Sequence, residues 1–78
     1  MRGYAIDNPF QKERDLLGRT IKKIREQKEL TQEDLADKAD INVSYLAKIE
    51  NGYVNTSVRY LVKISKGLGV KVKDLFEF

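Results

Sequence analysis

Cysteine, histidine and tryptophan are absent from this chain of 78 residues, and proline occurs once, at Pro9. Without cysteine and histidine the chain has no disulfides, no thiolate chemistry and none of the ligand sets that commonly hold zinc, so we expect no metal and no cofactor. The same absence removes the most common general base and the most reactive nucleophile, so we predict that the chain is not an enzyme. Apolar packing alone must stabilise a fold of this size.

Long apolar runs are also missing. No stretch approaches the roughly 20 residues that cross a bilayer, and the first ten residues, MRGYAIDNPF, lack the apolar segment of a secretory signal. We therefore expect a cytoplasmic protein with no membrane partner. What is present is 41% hydrophobic and 35% charged residues, the balance of a compact domain, with a formal net charge of +3 that is consistent with a polyanionic partner.

The apolar positions follow a helical rather than a strand-like period, which predicts an all-α fold. Leu17, Ile21 and Ile24 recur at spacings of four and three among charged residues, as in an amphipathic first helix. Residues 1–12 show no sustained periodicity, and we interpret them as an N-terminal arm or irregular lead-in. Residues 13–78 then form a single domain.

A second, short helix is predicted to start after Thr31 and to run to about Ala39. The Thr31 hydroxyl is placed to accept a hydrogen bond from the backbone N–H of Asp34, and acidic residues in the first turn favour the positive end of the helix. Its inward residues are predicted to be Leu35, Ala36 and Ala39, and the two alanines allow another helix to approach closely.

A third helix is predicted after a tight turn at residues 40–42. Asn42 is suited to cap its start, and Leu46 and Ile49 are spaced to face the core. Gly52 supplies a left-handed residue after its end.

A fourth helix is predicted to start at Asn55, Thr56 or Ser57, and the last segment to form a short fifth helix. The predicted inward residues are Val58, Leu61, Ile64 and Leu68 in the fourth helix and Val72, Leu75 and Phe76 in the fifth. The alternation of Val70 and Val72 leaves a strand as the other interpretation of the last segment. We expect Phe76 in the core, and one or both of Phe76 and Phe78 at a dimer seam.

The segment TQEDLADKADINVSYLAKIENG, residues 31–52, resembles the phage repressor and Cro family of helix-turn-helix regulators, also called the Xre type. The likeness extends from about Leu17 to Phe76 and includes Thr-Gln at the start of the second helix, Leu-Ala within it, and Glu-Asn-Gly after the third. It implies a five-helix, lambda-repressor-like domain with the helix-turn-helix at about residues 31–51. The family usually has glycine where Glu29 and Asp40 stand, at positions that often need a positive φ.

The resemblance implies a role for particular residues. Gln32 falls where the family has a glutamine that bonds a phosphate and braces the recognition helix, and Arg25 and Glu50 match a structural ion pair. Tyr45 is interpreted mainly as a packing residue and Arg59 equally as a phosphate contact or a surface charge, while Arg19, Lys22 and Lys23 are interpreted as a solvated helix face. The complete set of candidate DNA-binding residues is Thr31, Gln32, Asn42, Val43, Ser44, Tyr45, Lys48, Asn51 and Arg59.

These features predict a sequence-specific regulator of transcription, a repressor or a controller. It would bind a palindromic double-stranded operator as a homodimer, with the third helix in the major groove. The alternative is an antitoxin or protein-interaction module that uses the same fold to bind a toxin or another partner protein.

Overall fold

The computed structural model describes residues 10–78, which form four α-helices and a C-terminal 3₁₀ helix without any strand. The elements are α1 (Gln11–Gln27), α2 (Gln32–Ala39), α3 (Val43–Glu50), α4 (Val58–Leu68) and the 3₁₀ helix (Val72–Phe76). The predicted all-α class is confirmed, and the predicted fifth helix is a 3₁₀ helix rather than an α-helix. Most of the lead-in predicted for residues 1–12 lies outside the described residues, and its last two residues belong to α1.

A single apolar core holds the helices together. α4 packs against α2 through Gly67, where an added Cβ would lie 3.2 Å from the Cβ of Ala39. The small residues predicted to permit a close helix contact do so here. The core residues come from all five elements: Ile21, Leu35, Ala36, Ala39, Leu46, Ile49, Leu61, Ile64, Leu68 and Leu75.

The contact between α1 and α3 is closer still and depends on Gly18. A Cβ at this position would lie 2.4 Å from the carbonyl oxygen of Glu50 and 2.5 Å from that of Ile49. Both neighbours are backbone atoms, which cannot rotate away as a side chain can. Gly18 therefore lets α1 approach the end of α3 and fixes the position of that end.

Two predictions about buried residues are wrong. Val58 is 73% exposed, and Phe76 is 46% exposed while its neighbour Leu75 is fully buried. In α4 the inward stripe is centred near Leu61 and Leu68, so Val58 falls at its margin in the first turn. In the 3₁₀ helix, three residues per turn place Val72 and Leu75 on the inner side and turn Phe76 outward.

Among residues 10–78, no helix is both long and apolar enough to cross a membrane.

Candidate nucleic-acid interface

The turn between α2 and α3 is only three residues long. Asp40 takes the left-handed conformation at φ 55°, and Ile41 packs against the core while its N–H donates to the Ala36 carbonyl at 2.9 Å. Asn42 then caps α3, its Oδ1 accepting from the N–H of Tyr45 at 3.1 Å, as predicted. This turn sets the angle between the two helices and leaves the start of α3 at the surface.

The positive φ at Asp40 is tolerated because aspartate adopts the left-handed region more readily than most side chains. Lys63 of α4 donates from Nζ to the Asp40 carbonyl at 3.2 Å. Glu29 also has a positive φ, of 59°. The two positions where the family usually has glycine therefore do need that conformation here.

The start of α2 is held by a reciprocal pair of hydrogen bonds. The N–H of Asp34 donates to the Thr31 hydroxyl at 3.0 Å, and the N–H of Thr31 donates to Asp34 Oδ2 at 2.9 Å. The backbone bond from Thr31, reinforced by its side chain, lowers the pKa of Asp34. The first of these bonds was predicted from sequence, and the second makes the start of α2 a complete capping box.

The exposed side of α3 carries the candidate base contacts. Val43, Ser44 and Lys48 are exposed, and Ser44 and Lys48 lie one turn apart on the same face. Tyr45 is half-buried and packs on Tyr60 of α4, with ring centroids 4.7 Å apart. This is the packing role preferred for Tyr45, and it ties the first turn of α3 to α4.

The far end of α3 is held by a buried polar network centred on Glu50. Arg25 donates to Glu50 from Nε at 2.8 Å and from its second terminal nitrogen at 3.1 Å, and Gln32 Nε2 donates to Glu50 Oε1 at 2.9 Å. The Arg25 side chain is 9% exposed and that of Glu50 only 1%. Arg25 also donates to the Leu30 carbonyl at 2.7 Å, so one guanidinium joins α1, the α1–α2 loop and α3.

The hydrogen bond to Glu50 raises the pKa of Arg25 further above its already high value, so this guanidinium stays charged at any ordinary pH. Gln32 has a second amide hydrogen that this network does not use. The resemblance implied that Gln32 supports the third helix and that Arg25 pairs with Glu50. It did not show that the Glu50 carboxylate accepts hydrogen bonds from both Arg25 and Gln32. Opposite charges 25 residues apart carry no local signal of such a convergence.

The two remaining candidates lie outside α2 and α3. Asn51, at the end of α3, is exposed and its N–H donates to the Ala47 carbonyl at 3.0 Å. Arg59 is exposed in the first turn of α4. Both side chains are therefore accessible to a ligand.

An apolar groove of about 310 Å³ lies away from the helix-turn-helix. Its rim includes Phe10, 70% exposed, and Phe78, 54% exposed, and the rings of Phe76 and Phe78 lie 6.2 Å apart. Arg14 and Thr56 also line this groove, and within residues 10–78 the Nε atom of Arg14 and the Oγ1 atom of Thr56 are buried without a hydrogen-bond partner. Phe76 and Phe78 were predicted from the sequence as residues of a dimer seam, whereas Phe10 and these polar atoms were not.

Two short helices joined by a three-residue turn, with the second helix capped at its start and exposed along one side, define the helix-turn-helix class. A family model described as Helix-turn-helix matches residues 21–75. The chain belongs to this family, and the resemblance to its phage repressor and Cro type is confirmed.

Individual relatives include restriction-modification proteins. The chain is 43% identical over 60 residues to Control protein C.MunI of Mycoplasma sp, covering 76% of this chain and 81% of that protein. It is 42% identical over 64 residues to Control protein C.BamHI of Bacillus amyloliquefaciens, covering 81% and 79%. The crystal structure of the restriction-modification controller protein C.AhdI from Aeromonas hydrophila superposes with a TM-score of 0.78 at 29% identity, covering 80% of this chain and 94% of that one.

Proposed function

We propose that this chain is a sequence-specific regulator of transcription that binds double-stranded DNA with α3 in the major groove. The observation that carries the proposal is the exposed side of α3, whose two ends are anchored by the Asn42 cap and by the Glu50 network. An α-helix with its side chains is about 10–12 Å across, which matches a major groove about 12 Å wide. Short outward side chains on α3 permit this close approach.

We assign separate roles to the candidate residues. Ser44 and Lys48 contact base edges, and Val43 is placed for the methyl group of a thymine. Gln32 and Thr31, at the start of α2, contact a phosphate, where the helix dipole and free N–H groups favour an anion. Asn42 contacts a base edge or a phosphate beside its capping role, and Asn51 and Arg59 contact the DNA backbone. The last candidate, Tyr45, packs on Tyr60.

We further propose that the active form is a homodimer. A single α3 with such short side chains specifies few base pairs. Two copies bound to half-sites about 34–36 Å apart recognise twice as many base pairs. The apolar groove with Phe76 and Phe78 at its edge is the proposed seam. A second copy seated there would remove these exposed aromatic rings from water, which favours association.

The regulator is proposed to be a controller of a restriction-modification system. The support is the similarity to C.MunI and C.BamHI, which extends over about four fifths of each protein's length, and the fold shared with C.AhdI. The comparisons do not favour the alternative of a toxin-binding or other protein-interaction module.

Selection of bound sites from a pool of randomised duplexes tests the DNA-binding proposal. We expect the recovered sites to contain a two-fold repeat with half-sites about 10 bp apart, and binding to fall steeply as salt increases. The double variant Ser44→Ala/Lys48→Ala should lose the selected site, whereas Lys66→Ala, a charge removal at an exposed position of α4, should keep it. A protein that shifts no duplex at low salt would instead support the interaction module.

Sedimentation equilibrium tests the seam. Phe78→Ser should convert a dimer into a monomer while the helical circular dichroism signal is retained, because this side chain is largely outside the core. Tyr53→Ser removes another exposed aromatic ring, 70% exposed against 54% for Phe78, from the loop after α3 and serves as the control. A dimer that survives Phe78→Ser unchanged would move the seam elsewhere.

A further inference from the structure

Helix α1 carries three residues in a stripe that faces the end of α3. Gly18 abuts the carbonyl groups of Ile49 and Glu50, and Arg25 bonds the Glu50 carboxylate. Lys22 lies four residues after Gly18 and three before Arg25, so it shares their face of the helix. Unlike these two, Lys22 is exposed.

Lys22 lies at the boundary of two surface grooves. The first is also lined by Thr31, Gln32 and Val43, at the starts of α2 and α3. The second is also lined by Asn51, at the end of α3. Lys22 therefore lines both grooves, and each groove also contains predicted phosphate contacts at one end of the helix-turn-helix.

We propose that Lys22 is a further DNA-contacting residue. It binds a phosphate that lies between the phosphate contacted by the start of α2 and the phosphate contacted by the end of α3. This inference rests on the proposed function and adds to it a contact from outside the helix-turn-helix. A lysine suits this role because its ammonium group is a compact charge at the end of a flexible four-carbon stem.

The charges around Lys22 leave it available to an anion. Within residues 10–78 the only ion pair is that of Arg25 with Glu50, so no carboxylate lies within bonding distance of Lys22. Glu50 lines the second groove, but its oxygens already accept three hydrogen bonds. Glu33 and Asp15 line one groove each, and Arg19 on the second groove adds a positive charge one turn away.

The neighbouring lysine provides the contrast. Lys23 is also exposed on α1, but it lines a different groove with Lys28, Val70 and Asp74, next to the 3₁₀ helix. From sequence, both lysines were interpreted as one solvated face. The structure separates them, one beside the helix-turn-helix and one away from it.

The test compares Lys22→Gln with Lys23→Gln, two adjacent substitutions that remove the same charge from the same helix. Binding is measured by fluorescence anisotropy between about 50 and 200 mM salt, with the duplex recovered by selection and an unrelated duplex of equal length. Each phosphate contact contributes about 0.9 to the slope of log K against log salt, so Lys22→Gln should reduce the slope by about 1.8 for a dimer. Both duplexes should be affected alike, because a phosphate contact carries no sequence information.

Lys23→Gln should leave the salt slope close to that of the unchanged protein. Equal slopes for the two variants, whether both reduced or both unchanged, would overturn the role of Lys22. If the unchanged protein binds neither duplex in a salt-dependent manner, the proposed function itself fails, which is a separate and recognisable result. Thermal unfolding of both variants verifies that any loss of affinity is not a loss of folded protein.

Discussion

Replacing Glu50 by glutamine tests whether the buried network holds the recognition helix. The substitution keeps the shape of the side chain but removes the negative charge that balances Arg25, whose side chain is 9% exposed. Arg25 would remain charged, because its pKa lies far above any working pH. The variant would therefore contain an uncompensated guanidinium in a largely buried position.

The expected loss is large relative to the whole domain. Removing one partner of a buried ion pair costs about 3–5 kcal/mol, and we expect about 3 kcal/mol because the amide oxygen still accepts one hydrogen bond. Total stability at 0.05–0.15 kcal/mol per residue is about 4–12 kcal/mol for 78 residues. At about 4 °C or more per kcal/mol, Glu50→Gln should lower the midpoint of thermal unfolding by at least about 12 °C.

Urea unfolding followed by circular dichroism measures this free energy directly. The double variant Arg25→Met/Glu50→Leu is the control, since replacing both charges by apolar side chains is often neutral or stabilising. It should regain most of the stability but not the DNA affinity, because Gln32 no longer has its acceptor. A loss below about 1 kcal/mol for Glu50→Gln, the value of an exposed pair, would refute the burial argument.

Three other sets of substitutions test separate parts of the structure. Gly18→Ala should destabilise the domain by up to about 2 kcal/mol in urea unfolding, because overpacking against α3 costs about 1–3 kcal/mol and alanine regains only about 1 kcal/mol in a helix; a higher stability would show that the close contact is absent. The capping hydrogen bonds lower the pKa of Asp34, so their stabilisation is complete above the ordinary pKa of about 4 and is lost as the pH falls through the lower folded value; Asp34→Asn should flatten that part of an acid titration, and an unaltered curve would contradict the cap. Ser44→Ala or Lys48→Ala should weaken the selected site by about 1–3 kcal/mol and change base preference in a repeated selection, whereas Gln32→Ala should weaken all duplexes alike; equal losses on every duplex for all three would contradict this division.

Much of the backbone could be predicted because its signals are local. The caps at Thr31 and Asn42 and the left-handed glycine at Gly52 are each specified by residues within a few positions of one another. The inward faces of α2 and α3 also followed from periodicity. The caps, the turn and the inward faces together were enough to predict the all-α class of the fold.

The features that the sequence did not predict depend on contacts between residues far apart in the chain, or on a 3₁₀ helix in place of an α-helix. The exposure of Phe76 follows from three rather than 3.6 residues per turn, which periodicity alone does not reveal in a five-residue segment. The role of Gly18 and the proposed role of Lys22 arise only when α1 lies against the end of α3, about 30 residues later in the chain. Such convergence is a property of packing and leaves no mark on the neighbouring sequence.

The same convergence bears on how a short recognition helix gains specificity. At eight residues α3 is about 12 Å long, and its outward side chains are mostly short, so contacts to bases depend on accurate placement of the helix backbone. The Tyr45–Tyr60 packing holds one end and the Glu50 network the other. The proposed phosphate contacts from Gln32 and Lys22 would lie on either side of that network. The width of the DNA groove would therefore determine whether these phosphate contacts and the base contacts of α3 can form at the same time. The operator is then expected to include conserved base pairs that α3 does not touch, selected through DNA shape.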